Sequence, residues 1–140
     1  MREIVPGRLW MGNRSDAEDV SSVLRLGIVV IIDLAMEEPP IQYPRDIVYC
    51  RFPLVDGSGN RAEFIRAAVH VTASFIEAAV PTLITCGAGM SRAPIIAAAA
   101  LAVIEQKTIE ETLEGITTEA VHDVSTSLWC EVKDAVVHAG

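Results

Sequence analysis

The sequence predicts an α/β fold, in which a central, mainly parallel twisted sheet is flanked by helices. Short apolar runs with strand character alternate with longer segments of helical periodicity along the 140 residues. The run 28–32 consists of branched aliphatic residues without a break, which is typical of a strand covered on both faces. The run 82–85 leads through a glycine-bearing loop straight into a helix. A ligand site is therefore expected beyond the carboxyl ends of the strands.

Turn residues and hydrophobic periodicity place the remaining elements in order. The predicted strands are 2–5, 8–11, 28–32, 47–53 and 82–85. The predicted helices are 15–26, 61–80, 94–106, 108 to about 117, and 125–137. The segment 35–46, which is rich in glutamate and proline, is predicted to be a surface loop.

Local signals mark where these elements begin and end. The helix 15–26 starts at the capping box Ser15-Asp16-Ala17-Glu18 and is ended by Gly27. A second capping box, Thr108-Ile109-Glu110-Glu111, starts the helix that follows it. Asp33 closes the run 28–32 and is interpreted as a turn former rather than as a catalytic residue. Helical spacing predicts these core-facing residues in 61–80 and 125–137: Phe64, Ala68, Val71, Phe75, Leu128, Val132 and Val136.

Composition and charge narrow the class of protein. With 51% hydrophobic residues spread through periodic segments, the chain is expected to fold as a single domain over 1–140. It has no apolar run long enough to span a bilayer and no signal-peptide core at its first residues, so we expect a soluble, cytoplasmic protein. The net charge of −8 disfavours nucleic acid and anionic membranes as partners. The oligomeric state is left open.

The cysteines and histidines give no sign of a metal or of a disulfide framework. Cys50, Cys86 and Cys130 are odd in number and widely spaced, which fits reduced thiols in a reducing compartment. Cys50 and Cys130 are interpreted as small buried hydrophobic residues, although a role for Cys50 as a resolving thiol toward Cys86 stays open. No metal and no cofactor is expected. The histidines are interpreted as solvated or capping residues: His70, His122 and His138.

The loop between the strand 82–85 and the next helix carries the candidate chemistry. Cys86 opens this loop, where free main-chain N–H groups and the helix dipole favour a thiolate nucleophile. Arg92 closes it, and its planar guanidinium can hold two oxygens of one phosphoryl group. Gly87 and Gly89 give the intervening amides room to turn inward. Pro94 suits the first turn of the helix.

The loop Cys86-Gly87-Ala88-Gly89-Met90-Ser91-Arg92 resembles the Cys-x5-Arg signature of the cysteine-based protein tyrosine phosphatases, and most of all that of the dual-specificity phosphatases. The resemblance extends to the opening segment 4–13 and to the run Phe52-Pro53-Leu54-Val55-Asp56, which is similar to the segment carrying the family's general acid. These landmarks follow the family order over nearly the whole chain. The resemblance implies a protein tyrosine phosphatase-like fold.

The resemblance also implies a role for each site residue. The Cys86 thiolate would attack phosphorus, while Arg92 and the loop amides would stabilise the phosphoryl oxygens. Asp56 would be the general acid that protonates the leaving oxygen and then the base that activates water. Its segment 55–60 is rich in glycine and is predicted to move over the site. The phosphate-binding residues would be Gly87, Ala88, Gly89, Met90, Ser91 and Arg92.

Two positions depart from the family pattern. The residue before the cysteine is usually histidine and here is Thr85, so the thiol is expected to be less acidic than in typical members. The residue after the arginine is usually serine or threonine and here is Ala93. Because the missing hydroxyl normally stabilises the departing thiolate, breakdown of a phosphoenzyme is expected to be slow.

Three functions follow as hypotheses. The first is a metal-independent phosphatase acting on phosphotyrosine, and also on phosphoserine or phosphothreonine, in a protein or in a small phosphomonoester. Loop positions 87–91 carry no basic residue, unlike many relatives that act on phosphoinositides or RNA ends. The second is a pseudophosphatase that binds phosphorylated partners, motivated by Thr85 and Ala93. The third is a rhodanese-like sulfurtransferase, which would have no use for an acid at Asp56.

Overall fold

The computed structural model describes residues 1–87, 91–117 and 124–137. Its strands are β1 (Arg2–Val5), β2 (Leu9–Gly12), β3 (Val30–Ala35), β4 (Val48–Leu54) and β5 (Thr82–Thr85). Its helices are α1 (Arg14–Glu18), α2 (Val20–Arg25), α3 (Ala62–Glu77), α4 (Arg92–Glu105), α5 (Ile109–Thr117) and α6 (Thr126–Val137). No helix in the described ranges is long and apolar enough to cross a membrane.

The five strands form one sheet in the order β1-β2-β5-β3-β4. β1 runs antiparallel to β2, and the other neighbouring pairs are parallel. In register, Thr85 at the end of β5 lies between Gly12 of β2 and Asp33 of β3. The prediction of a mainly parallel sheet flanked by helices is confirmed, and Cys86 follows the central strand at the carboxyl edge of the sheet.

Alternate residues of the central strands enter two different hydrophobic clusters, because side chains of a strand point to opposite faces. Ile84 belongs to the larger cluster with residues of α3, α4 and α6, whereas Leu83 belongs to a smaller one with Trp10 and Val23. Helix α4 is buried almost all round, and its residues 97–100 are fully covered. Their small alanine side chains allow close packing between sheet and helices, which fixes the first turn of α4 against β5.

The helix predicted at 15–26 is interrupted. Asp19 ends α1 and caps α2, since its carboxylate accepts the Ser22 N–H at 3.2 Å. The capping box of α1 is formed by Asn13 and Asp16, not by Ser15 and Glu18. Aspartate at residue 19 competes with the helix for main-chain N–H groups, which explains the break. Gly27 does end the second helix, with a φ of 77°.

Two other boundaries differ from the prediction. β3 does not end at Asp33 but continues to Ala35. Asp33 is buried, and its carboxylate accepts the Tyr49 O–H and the Ala35 N–H, so its role is structural without being that of a turn former. Helix α4 begins at Arg92, two residues before the predicted start, and Pro94 still lies in the first turn, where an N–H has no partner within the helix.

The buried face of α3 is turned by about one residue from the predicted one. Phe64 is 36% exposed and lies under the Arg61 guanidinium, 4.6 Å from the ring centroid. The core-facing residues of α3 are Ile65, Ala68, Val69, Thr72, Ala73 and Ile76. Phe64 lies in the first turn, where it stacks on Arg61 instead of packing inward. In α6, Leu128 and Val132 are fully buried as predicted.

Candidate active site

Cys86 lies between the end of β5 and the start of α4. Its side chain is 2% exposed, and its sulfur accepts a hydrogen bond from the Ala93 N–H at 3.4 Å. That N–H belongs to the first turn of α4, where main-chain donors have no partner within the helix. The sulfur therefore faces the positive end of a helix dipole.

Arg92 is the first residue of α4 and is 5% exposed. Its Nη1 donates to the Leu54 carbonyl at 2.9 Å, which ties the end of β4 to the loop. The hydrogen bond that Arg92 donates to Glu37 is the largest cause that raises the pKa of Arg92, and the charges of Cys86 and Asp56 add to it, so both side chains lie within electrostatic reach of the guanidinium. The structure thus brings the three sequence-predicted residues Cys86, Arg92 and Asp56 to one region.

Glu37 is a residue of this region that the sequence analysis missed. Its Oε1 accepts from Arg92 Nη1 at 2.6 Å and its Oε2 accepts from Nη2 at 2.7 Å. Two arginines hold its loop, since Arg51 donates to the Ala35, Met36 and Glu38 carbonyls and Arg14 donates to the Pro39 carbonyl. The sequence signal that could have identified Glu37 is its position just after β3. This strand lies beside β5, and its carboxyl end is at the same edge of the sheet as Cys86.

Glu37 binds the guanidinium of Arg92 through Nη1 and Nη2, which leaves the Nε edge for another anion. Arg92 Nε is buried and has no hydrogen-bond partner among the described residues. A buried N–H without an acceptor is costly, and the Nε and Nη2 donors together match two oxygens of a tetrahedral anion. We interpret Glu37 as holding the guanidinium from its far end while the Nε edge serves an oxyanion.

Gly87 also leaves room for the ion pair between Glu37 and Arg92. A Cβ built on Gly87 would lie 2.7 Å from Glu37 Oε2 and 3.2 Å from Arg92 Nη2. Any side chain there would push the ion pair away from the loop. The close approach of a carboxylate, rather than an unusual backbone angle, therefore explains the glycine.

Glu37 makes the folded state sensitive to acid. The Arg92 hydrogen bond is the largest cause that lowers its pKa from 4.5 to about 2. Because the pKa is lower in the folded state, the pair stabilises the protein above pH 4.5, and this contribution is lost as the pH falls towards 2. We expect Glu37→Gln to lower the free energy of unfolding at neutral pH by about 1 kcal/mol, a value reduced for the half-exposed carboxylate.

Urea unfolding at neutral pH and at pH values between 4.5 and 2 measures this effect. The difference between wild type and Glu37→Gln should shrink across that window. Glu38→Gln is the matched control, because it removes the neighbouring carboxylate and leaves the Arg92 pair intact. A difference that stays constant down to pH 2 would contradict the assignment.

The segment that carries Asp56 is more firmly held than its composition predicts. Asp56 is exposed and follows the end of β4 by two residues, between Val55 and Gly57. The Asn60 side chain accepts the Val55 N–H at 2.7 Å and donates to the Val55 and Gly57 carbonyls at 3.0 and 3.1 Å. Glycine content predicted a loop that moves, but these hydrogen bonds favour a preorganised one.

The remaining loop positions are only partly described. Ala88, Gly89 and Met90 lie outside the described residues, as do His122 and His138. Ser91 is 4% exposed, and its hydroxyl oxygen accepts the Ser125 N–H at 3.0 Å. Ala93 is fully buried beside the sulfur and supplies a main-chain N–H but no hydroxyl.

The register of the sheet separates Cys50 from Cys86. Cys50 of β4 and Ile84 of β5 both pair with Ile32, so β3 lies between β4, which carries Cys50, and β5, which Cys86 follows. Two strand spacings amount to about 10 Å, which exceeds the Cα separation a disulfide allows. Burial also raises the pKa of the Cys50 thiol. Cys50 is therefore no resolving thiol in this conformation, and Cys130 is exposed rather than buried as predicted.

The geometry defines an α/β protein with a cysteine and an arginine at the two ends of one loop that leads from the central strand into a helix. Solved structures with the same fold include human DUSP28 (TM-score 0.85, 15% identity, covering 99% of this chain and 97% of that chain). DUSP15 gives a TM-score of 0.75 at 24% identity, with 99% and 88% covered. Human tyrosine phosphatase-like serine/threonine/tyrosine-interacting protein gives 0.82 at 17%, with 100% and 98% covered.

The chain thus has the fold of the dual-specificity phosphatases, and the resemblance noted from the sequence is confirmed at the level of the fold. No protein-family model and no curated protein matches the chain.

Proposed function

We propose that the protein is a cysteine-dependent phosphatase that hydrolyses phosphotyrosine, with phosphoserine and phosphothreonine as further substrates, through a cysteinyl-phosphate intermediate. The observation that carries the proposal is the pairing of Cys86 with Arg92. The sulfur faces the Ala93 N–H at the start of α4, and the same turn carries a buried guanidinium with an unpartnered Nε.

Each step of the reaction has a group to perform it. The Cys86 thiolate forms the bond to phosphorus while the bond from phosphorus to the leaving oxygen breaks. Asp56 gives its proton to that oxygen, and Arg92 neutralises charge on the phosphoryl oxygens. Water then attacks phosphorus, Asp56 takes a proton from it, and the sulfur leaves as a thiolate. The cysteine supplies the nucleophile and the arginine the charge, so this scheme needs no metal ion.

The charges around the site favour a phosphomonoester over a polyanion. Glu37 lies at the loop, Asp56 lies within electrostatic reach of Arg92, and the whole chain carries a net charge of −8. Arg92 is fully engaged at one end by Glu37, which leaves a single edge for the substrate. A substrate with one phosphate on a protein side chain fits a negatively charged site with one free guanidinium edge better than a phosphoinositide does.

We further propose that the protein works in a reducing compartment, as in the cytoplasm. Cys50, Cys86 and Cys130 are all free, and a thiolate nucleophile must stay reduced to act.

A pseudophosphatase is the second candidate, and one observation favours it. Ala93 offers the sulfur a main-chain N–H and no hydroxyl. By the resemblance, the missing hydroxyl slows release of the thiolate, so a protein of this kind would bind phosphate and hold it. A sulfurtransferase is less favoured, because Asp56 lies within electrostatic reach of Arg92, where a phosphatase has its acid.

A burst experiment tests the proposal. We expect p-nitrophenyl phosphate to be hydrolysed in the presence of a chelator, with a rapid release of about one p-nitrophenol per protein before a slower steady rate. The burst is expected because breakdown of the phosphoenzyme should limit turnover. Acid quenching and mass spectrometry should find the phosphoryl group on the peptide containing Cys86.

Three results would contradict the phosphatase proposal. Phosphate binding without any p-nitrophenol release would leave the pseudophosphatase. Activity that disappears with the chelator would refute a cysteine-only mechanism. Thiosulfate-dependent transfer of sulfur would indicate the sulfurtransferase.

A further inference from the structure

One side chain of α6 holds the segment 55–60 from outside. Glu131 Oε2 accepts the Gly59 N–H at 2.5 Å, and Oε1 accepts the Asn60 N–H at 3.0 Å. The carboxylate therefore binds two consecutive main-chain amides at once. Hydrogen bonds to an ionised carboxylate are roughly twice as strong as neutral ones, so these two bonds attach the segment firmly to α6.

Asn60 passes this attachment on to the residues that flank Asp56. Its amide group is bound to both main-chain groups of Val55 and to the Gly57 carbonyl. The Gly57 N–H also donates to the Val55 carbonyl at 2.9 Å, so Asp56 is the central residue of a three-residue turn. The position of Asp56 is thus set by Asn60, and the position of Asn60 relative to α6 by Glu131.

The start of α6 also contacts the phosphate-binding loop. The Ser125 N–H donates to the Ser91 hydroxyl oxygen at 3.0 Å. Further along the helix, Leu128 and Val132 are fully buried in the larger hydrophobic cluster. Because α6 is anchored in the core and touches both loops, it fixes the distance between them.

We propose that Glu131 is the positioning residue for the general acid. The inference rests on the proposed function, which assigns Asp56 that role. Glu131 touches no reacting atom. Without its carboxylate the turn around Asp56 keeps its internal hydrogen bonds but loses its attachment to α6, so the acid is no longer held at the leaving oxygen.

A double-mutant cycle with two substrates tests the catalytic side. Glu131→Ala is expected to lower kcat/KM, which reports formation of the phosphoenzyme, about tenfold for phenyl phosphate and less than about twofold for p-nitrophenyl phosphate. The more acidic phenol needs less protonation, which explains the difference. Asp56→Ala should lower kcat/KM for phenyl phosphate by about 10²-fold, and adding Glu131→Ala to it should lower kcat/KM no further.

Two further variants separate positioning from general damage. Glu131→Gln keeps one carbonyl oxygen, so its kcat/KM for phenyl phosphate should lie between that of wild type and that of Glu131→Ala. Asp134→Ala removes an exposed carboxylate three residues along the same helix, and Asp134 makes none of the hydrogen bonds that hold 55–60 within the described structure. Its kcat should equal that of wild type for both substrates.

Amide hydrogen exchange tests the attachment without any need for activity. In Glu131→Ala, exchange at Gly59 and Asn60 should accelerate at least about tenfold, and in Asp134→Ala it should not change. Unchanged exchange in Glu131→Ala would overturn the inference, as would equal losses of kcat/KM on the two substrates or a further loss of kcat/KM in the Asp56→Ala background. If wild type hydrolysed neither substrate while exchange still accelerated in Glu131→Ala, the phosphatase proposal would be refuted and only the attachment would be supported.

Discussion

Replacing Cys86 by serine is expected to abolish turnover of p-nitrophenyl phosphate, with a loss of at least about 10⁴-fold in kcat. A serine hydroxyl in the same position remains protonated at neutral pH, because no general base lies within hydrogen-bond distance of residue 86 among the described residues. Arg92 and the loop amides stay in place, so phosphate should still bind. Steady-state kinetics and a phosphate titration together check both statements.

The matched controls for this change are the other two cysteines. Cys50 is half-buried on β4 and Cys130 is exposed on α6, so neither serine variant should lower kcat by more than about twofold. A Cys86→Ser protein that keeps a tenth of the wild-type rate would exclude covalent catalysis by this residue. Loss of phosphate affinity in that variant would indicate misfolding rather than removal of a nucleophile.

Arg92→Lys is expected to lower kcat/KM by roughly 10²–10³-fold, although the positive charge is kept. The guanidinium serves the Leu54 carbonyl, both Glu37 oxygens and a free Nε edge, four directions that a single ammonium cannot cover. Lysine would pair with Glu37 and leave the oxyanion without its two parallel donors. Inhibition by inorganic phosphate measures how much of the loss in kcat/KM comes from weaker binding of phosphate in the ground state.

Arg61→Lys is the control, because Arg61 forms an exposed ion pair with Glu63 on the surface of α3. It should leave both kcat and phosphate inhibition unchanged. If Arg92→Lys behaved like Arg61→Lys, the bidentate role of the guanidinium would be wrong, and a simple positive charge at residue 92 would account for any phosphate affinity.

The errors of the sequence prediction have local physical causes. The helix expected at 15–26 breaks because Asp19 binds main-chain N–H groups that a continuous helix would use. The face of α3 was misjudged because Phe64 has a second apolar surface available, the Arg61 side chain above it. In both places a local side-chain contact outweighs hydrophobic periodicity, because periodicity takes only the apolar residues into account.

The sequence by itself determined the alternation of strands and helices and the placement of Cys86 and Arg92 at the two ends of one loop. Strand pattern, turn glycines and helix start all lie within residues 82–94, so short-range preferences suffice there. Only the tertiary structure decided the partners of that loop. Glu37 is 55 residues from Arg92, and Glu131 is 71 residues from Asn60. Strand order and helix packing bring such residues together, and no local sequence pattern indicates which distant carboxylate will contact the loop.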